Sequence, residues 1–171
     1  MAPDLAWEPL PAELPDPPET GDTFLANAIQ KARFVFEATG RAALADDSGL
    51  EVDALGGRPG VFSRRYSPEA TDGANNRRLL AELGGVTDRR ARYRCVLAWC
   101  DAAGVVTAAG SCEGMIGQEP RGTYGFGYDP LFLPDATPGR TMAELSPPEK
   151  DRISHRGAAL SAFFAELQRC R

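Results

Sequence analysis

Polar and apolar positions along the chain follow two different periods in turn. After Thr20 to Asp22, whose oxygens suit an N-cap, Leu25, Ala28, Ile29, Ala32 and Phe36 recur at three- and four-residue spacing, and Gly40 closes the run. This pattern predicts an amphipathic helix. Ala42 to Ala45 is a short apolar run ending in Asp46-Asp47-Ser48-Gly49, which predicts a buried strand whose polar end opens into a loop. Leu50 to Leu55 fits either strand or helix. Beyond the turn Gly56-Gly57-Arg58-Pro59-Gly60, the segment Thr71 to Leu83 has a capping Thr, the apolar pair Leu79 and Leu80 and a Gly84-Gly85 stop, the marks of a second helix.

Arg92 to Trp99 and Val105 to Ile116 are rich in strand formers, and Asp101-Ala102-Ala103-Gly104 between them predicts a hairpin. Tyr128 to Leu133 fits a further short strand. Ser146 and Glu149 have capping-box spacing, with Pro147 and Pro148 placed to open a helix, and Leu160, Phe163, Phe164 and Leu167 mark a last amphipathic helix. Strands and helices are mixed without regular alternation. The expected fold is therefore α/β with a mixed, twisted sheet.

Composition narrows the class without changing the elements. At 171 residues the chain fits one domain, and 43% apolar with 25% charged residues is ordinary for a globular protein. No basic leader precedes an apolar run and no stretch nears 18 apolar residues, so a cytoplasmic protein without a membrane segment is expected. Cys95, Cys100, Cys112 and Cys170 lack Cys-x-x-Cys spacing, and the single His155 cannot complete a zinc-finger set, so free thiols are expected. Residues 1 to 18 hold six of the fourteen prolines and predict an extended acidic segment ahead of a domain spanning 19 to 171.

The charge is uneven. Six acids and no Lys or Arg lie within the first 30 residues, so of the net −5 the remaining chain carries +1 and does not repel an anionic ligand. Only Lys31 and Lys150 are lysines, against seventeen arginines. Arg89-Arg90, Arg92 and Arg94, with Tyr93 the one aromatic among them, are expected to be solvated and argue weakly for nucleic acid, so no nucleic-acid partner is expected.

Four groups of residues carry candidate chemistry. Asp46 and Asp47 are adjacent carboxylates followed by a hydroxyl and a glycine, which suits a hard cation and a close phosphate, although Asp-Ser-Gly also makes good turns. Glu19 is a second oxygen ligand or simply a partner of the helix macrodipole. In Gly122 to Pro130, glycines surround Tyr124, Phe126 and Tyr128. That loop offers amides, a stacking face and the acceptor Asp129, or serves only as a turn with core aromatics. Lys150, His155 and Arg156 supply donors for phosphate or a purine carbonyl, or are merely solvated.

Together these motifs resemble the non-canonical purine NTP pyrophosphatases, also called inosine/xanthosine triphosphate or dITP/XTP pyrophosphatases. The resemblance runs through Glu19-Thr20-Gly21, Asn27-Ala28, Lys31-Ala32, Ala45-Asp46-Asp47-Ser48-Gly49-Leu50 and Leu55-Gly56-Gly57-Arg58-Pro59-Gly60. It continues in Ser63-Arg64-Arg65-Tyr66, Gly125-Phe126-Gly127-Tyr128-Asp129-Pro130 and Ser154-His155-Arg156-Gly157. It implies an elongated two-lobed domain with a nucleotide cleft between the lobes, a homodimer, and Mg2+ as cofactor. It also implies Asp47 as catalytic acid/base and metal ligand, Glu19 as the other metal carboxylate, Asp46 as support and Ser48 on substrate. Phe126 would stack on the purine, Gly127, Tyr128 and Asp129 would shape the base pocket, and Lys150, His155 and Arg156 would bind the nucleotide.

The implied reaction converts ITP, dITP or XTP to the monophosphate and pyrophosphate. One departure stands out: nothing before Glu19 matches the family's opening strand and Ser/Thr-x-Asn-x-x-Lys loop. The domain is therefore expected to be N-terminally incomplete, its start lying downstream of that unit. The alternatives are a shortened non-catalytic nucleotide-binding or dimer-partner protein, and a septum-formation-type nucleotide pyrophosphatase.

Overall fold

The computed structural model describes residues 6 to 169, so Cys170 lies outside the described residues. The elements are α1 (Phe24–Thr39), β1 (Ala43–Val52), α2 (Asp72–Glu82), β2 (Arg90–Asp101), β3 (Gly104–Ile116), β4 (Phe132–Pro134), α3 (Pro147–Ile153) and α4 (His155–Arg169). The α/β class is as expected. Within the sheet, order β1-β2-β3-β4, all three pairings are antiparallel, because β2 and β3 turn back through a two-residue hairpin and β1 and β4 flank them. Asp101 makes that hairpin local, its carboxylate accepting the Ala103 N–H at 2.8 Å.

The helix caps follow the sequence closely. Thr23, three residues past the expected start, accepts the Ala26 N–H, and Gly40 ends α1 at φ 66°. Thr71 caps α2 and the Ser146/Glu149 capping box opens α3. On α1 the buried side chains are Phe24, Asn27, Ala28 and Ala32, while Leu25 is exposed. The inward face is thus rotated one residue from the apolar pattern, and it carries Asn27.

Three strand or surface expectations are corrected. Asp46 to Gly49 is not a strand-end loop but the middle of the ten-residue β1, which runs on through Leu50 to Val52 and is fully paired with β2 from Ala43↔Cys100 to Val52↔Ala91. Its polar side chains are tolerated because Asp46, Asp47 and Ser48 find partners on helices and Glu51 pairs with Arg92 of β2. The last strand covers only Phe132–Pro134, since the Leu131 and Phe132 N–H groups both donate to the Tyr128 carbonyl in a tight turn, at 2.9 and 3.0 Å. Arg89 is buried, not solvated: its guanidinium donates to the carbonyls of Leu83, Ile116 and Gly117, each at 2.8 Å. Three carbonyl acceptors compensate the desolvation that pulls its pKa down.

Helices cover both faces of the central strands. Val96, Ala98 and Cys100 of β2 pack on Phe24, Ala28 and Ala32 of α1, and Cys95, Leu97 and Trp99 pack on Ala159, Phe163 and Leu167 of α4. Each fully buried Phe or Leu contributes roughly 1.5–3 kcal/mol. Gly110 lets α4 lie flush on β3, since a Cβ there would collide with the Ala159 nitrogen and the His155 carbonyl. A third cluster, with Leu79, Leu83, Phe132 and Leu145, closes the other end. Cys95, Cys100 and Cys112 are free thiols, as expected. Residues 6 to 18 form no helix or strand; Trp7 meets Trp99 edge-on at 6.2 Å and Glu8 pairs with Arg41 at 2.7 Å.

Candidate active site

The free-standing polar positions of β1 divide by strand alternation. Asp47 faces α1, whereas Asp46 and Ser48 face α4. On the α1 side, Asn27 and Lys31, one helical turn apart, meet the Asp47 carboxylate. Asn27 Nδ2 donates to Asp47 Oδ2 at 3.0 Å, and its own Oδ1 accepts the Gly21 N–H at 2.7 Å. Fully buried Asn27 thereby ties the Glu19-Thr20-Gly21 turn to β1. Lys31 Nζ lies between Glu19 Oε1 at 2.8 Å and Asp47 Oδ1 at 3.0 Å.

Burial opposes the Lys31 charge, but the two carboxylates more than offset it, so its pKa rises above the usual lysine value. The same ammonium, by hydrogen bonding, draws the Glu19 carboxyl below its ordinary range. Among the described residues no cluster of three or more His, Cys, Asp or Glu side chains converges. The fit to a divalent ion rests instead on the ammonium itself, which shows that two hard carboxylate oxygens point at one cation-sized position. Mg2+ commonly takes one or two carboxylates, completing its shell with water and phosphate oxygens, so Glu19 and Asp47 suit it.

On the α4 side, Asp46 does not join this pair. Its Oδ2 accepts from Arg156 Nε at 3.1 Å and from the Ser48 hydroxyl at 3.3 Å, while Arg156 also donates to Ser48 Oγ at 2.9 Å. Asp46 therefore positions Arg156, the first charged residue after the α3–α4 junction.

The glycine-rich loop supplies the far wall. Phe126 is 63% exposed, with Lys150 Nζ 4.6 Å and the Arg156 guanidinium 5.9 Å from its ring centre. Gly127 is clamped by α2, its N–H donating to Asp72 at 2.7 Å and its carbonyl accepting from Asn76 at 2.9 Å. Tyr128 is buried and donates to the Ser63 carbonyl at 2.8 Å. Asp129 is buried too, and it accepts from Tyr93 at 3.2 Å, from the Phe126 N–H at 2.9 Å and from Lys150. Gly125, at φ 79°, is required here because a Cβ would run into that carboxylate. Asp129 thus organises the loop from behind, its two oxygens taking three protein donors.

His155 is buried beside this loop, stacked on Tyr93 at 4.9 Å, and its Nδ1 has no hydrogen-bond partner among the described residues. Burial, then the Arg156 and Lys150 charges, lower its pKa to about 4. Between pH 6.5 and 4 the unfolded chain takes up a proton that the folded chain refuses, so this stability is complete above pH 6.5 and lost as pH falls toward 4. As the chain's one histidine, it gives a single imidazole Cε1–H resonance, expected to titrate near pH 4; a midpoint near 6.5 would contradict its burial.

Glu19, Lys31 and Asp47 share one cleft of about 770 Å³ with Phe126, Lys150 and His155. Asn27 and Lys31 were the functional residues hardest to find from sequence. Their only local signal is a pair of polar side chains spaced i, i+4 on the helix face that should be apolar.

An α/β domain whose cleft holds a carboxylate pair together with an aromatic loop flanked by cations is the class defined by this fold and cleft. The Ham1 family model matches residues 3–166, and the chain belongs to that family. It is 51% identical over 160 residues to a dITP/XTP pyrophosphatase of Mycolicibacterium paratuberculosis, covering 92% of this chain and 78% of that one. It is 53% identical over 157 residues to a dITP/XTP pyrophosphatase of Bacillus licheniformis, covering 90% and 80%. The solved structure of the Staphylococcus aureus Ham1 protein superposes with a TM-score of 0.85 at 41% identity, over 91% of this chain and 82% of that one.

Proposed function

We propose that this chain is a nucleoside triphosphate pyrophosphohydrolase that converts ITP, dITP and XTP to the monophosphate and pyrophosphate, clearing damaged purines from the nucleotide pool. The observation that carries this is the two-ended cleft: Glu19 and Asp47 aim at one cation position, and an exposed Phe126 flanked by Lys150 and Arg156 stands opposite. The relatives named dITP/XTP pyrophosphatases support it over the septum-formation-type and non-catalytic alternatives.

Glu19 and Asp47 would hold Mg2+ where the Lys31 ammonium now lies, and the ion would supply charge neutralisation on the phosphates. Asp47 orients a water toward the α phosphorus and takes its proton as the new P–O bond forms and pyrophosphate leaves. Asn27 holds the Asp47 carboxylate while this happens, and Lys31 balances the negative charge at that end of the cleft. Phe126 stacks on the purine, and Lys150, Arg156, Ser48 and His155 address the nucleotide, including its 6-oxo group. A 6-amino group leaves such donors unpaired, at about 1–3 kcal/mol per group, or roughly 5- to 150-fold in selectivity.

A homodimer and a cytoplasmic location accompany this function by resemblance to the family. Among the described residues no helix is long and apolar enough to cross a membrane. The test is a panel of purine and pyrimidine triphosphates with Mg2+, followed by pyrophosphate release. ITP, dITP and XTP are expected to be preferred over ATP by about 100-fold. A preference for pyrimidines points to the septum-formation type, and binding of ITP without pyrophosphate release points to the non-catalytic alternative.

A further inference from the structure

Tyr93, on β2, belongs to no motif singled out in the sequence, yet it touches both halves of the base end of the cleft. Its ring lies nearly parallel to the His155 imidazole, 14° between planes at 4.9 Å, and its other side meets Phe132 at 4.7 Å. Its hydroxyl donates to Asp129 Oδ1 at 3.2 Å. The other carboxylate oxygen, Oδ2, accepts the Phe126 N–H and the Lys150 ammonium. Burial, and then the Asp129 charge, push the Tyr93 pKa far up, so the phenol keeps the proton it donates.

We propose that Tyr93 is a positioning residue for purine recognition, its hydroxyl fixing the carboxylate that sets Phe126 and Lys150 while its ring fixes His155. This rests on the pyrophosphatase function proposed above. Two oxygens share three donors, so the geometry of Asp129 is set by all three. Without the hydroxyl, Oδ1 loses its donor, the carboxylate rotates toward Lys150, and the ammonium and the Phe126 amide lose their fixed position. Glu19, Asp47 and Lys31 lie at the other end and do not touch Tyr93, so the chemical step is spared.

Tyr93→Phe keeps the ring and removes only the hydroxyl. It is expected to raise KM for ITP about five- to tenfold, with kcat within about twofold of wild type, and to lower the ITP-to-ATP ratio of kcat/KM by a similar factor. The dissociation constant of IMP, measured by calorimetry without turnover, rises in parallel. Unchanged KM, IMP affinity and base selectivity would overturn the hydroxyl's role, whatever happens to the melting temperature, and so would a loss confined to kcat. The ring's role is read separately from the one imidazole Cε1–H resonance. Ring-current shielding is expected in wild type and Tyr93→Phe and absent in Tyr93→Leu, and an unshifted resonance in the leucine variant would overturn it. A wild-type chain that neither hydrolyses ITP nor binds IMP removes the pyrophosphatase function and this proposal together. A wild-type chain that does both, beside an indistinguishable Tyr93→Phe, removes this proposal alone.

Discussion

Replacing Asp47 with Asn is expected to lower kcat for ITP by about 10³-fold or more, with IMP affinity nearly unchanged. Loss of a general base alone removes 10²- to 10⁴-fold, equivalent to about 3–5 kcal/mol in the barrier. Asn also weakens the divalent site, because one of its two charged ligands becomes neutral. The fold should survive: an amide oxygen can still accept from Asn27 or Lys31, and Lys31 keeps its 2.8 Å pair with Glu19. Steady-state kinetics at saturating Mg2+, with thermal unfolding as a control, checks this. A variant retaining more than a tenth of wild-type kcat would remove Asp47 from its assigned role.

The second large effect falls on Asp129. Asp129→Ala deletes the acceptor of three donors at once and leaves Lys150, whose side chain is only 18% exposed, without its 4%-exposed partner. Breaking a buried ion pair from one side costs about 3–5 kcal/mol, because the remaining charge stays desolvated. For a chain of this length that corresponds to a melting temperature lower by about 6–20 °C. Nucleotide binding should fall as well, since Phe126 and Lys150 lose their anchor. A change of less than 1 kcal/mol in urea denaturation would mean that Lys150 finds other compensation.

These expectations show where sequence sufficed and where it did not. Caps, glycine stops and the hairpin were legible because their causes are local: Thr71, the Ser146/Glu149 box and the Asp101 turn act within four residues. The path of β1 was not legible. Asp46-Asp47-Ser48 looks like a strand ending, and only helices distant in sequence, bringing Asn27, Lys31 and Arg156, make a polar strand interior tenable. The same long-range causes hid Asn27, which looks like a blemish on an apolar stripe, and the three protein donors that meet Asp129. Arg89 was misjudged similarly, since its carbonyl partners come from two separate chain turns.

The opposed directions of Asp46 and Asp47 bear on how the chain tolerates length changes. A side chain changes face with every residue along a strand, so a one-residue slip between β1 and β2 would send Asp47 toward Arg156 and Asp46 toward Lys31's helix. The slipped pairing would bury Leu50 and Val52 on the wrong sides as well, so the hydrophobic clusters and both charge partners select one frame together. A single-residue insertion between Arg41 and Leu44 that shifted this frame would dismantle both ends of the cleft at once, although every side chain that builds them would still be present.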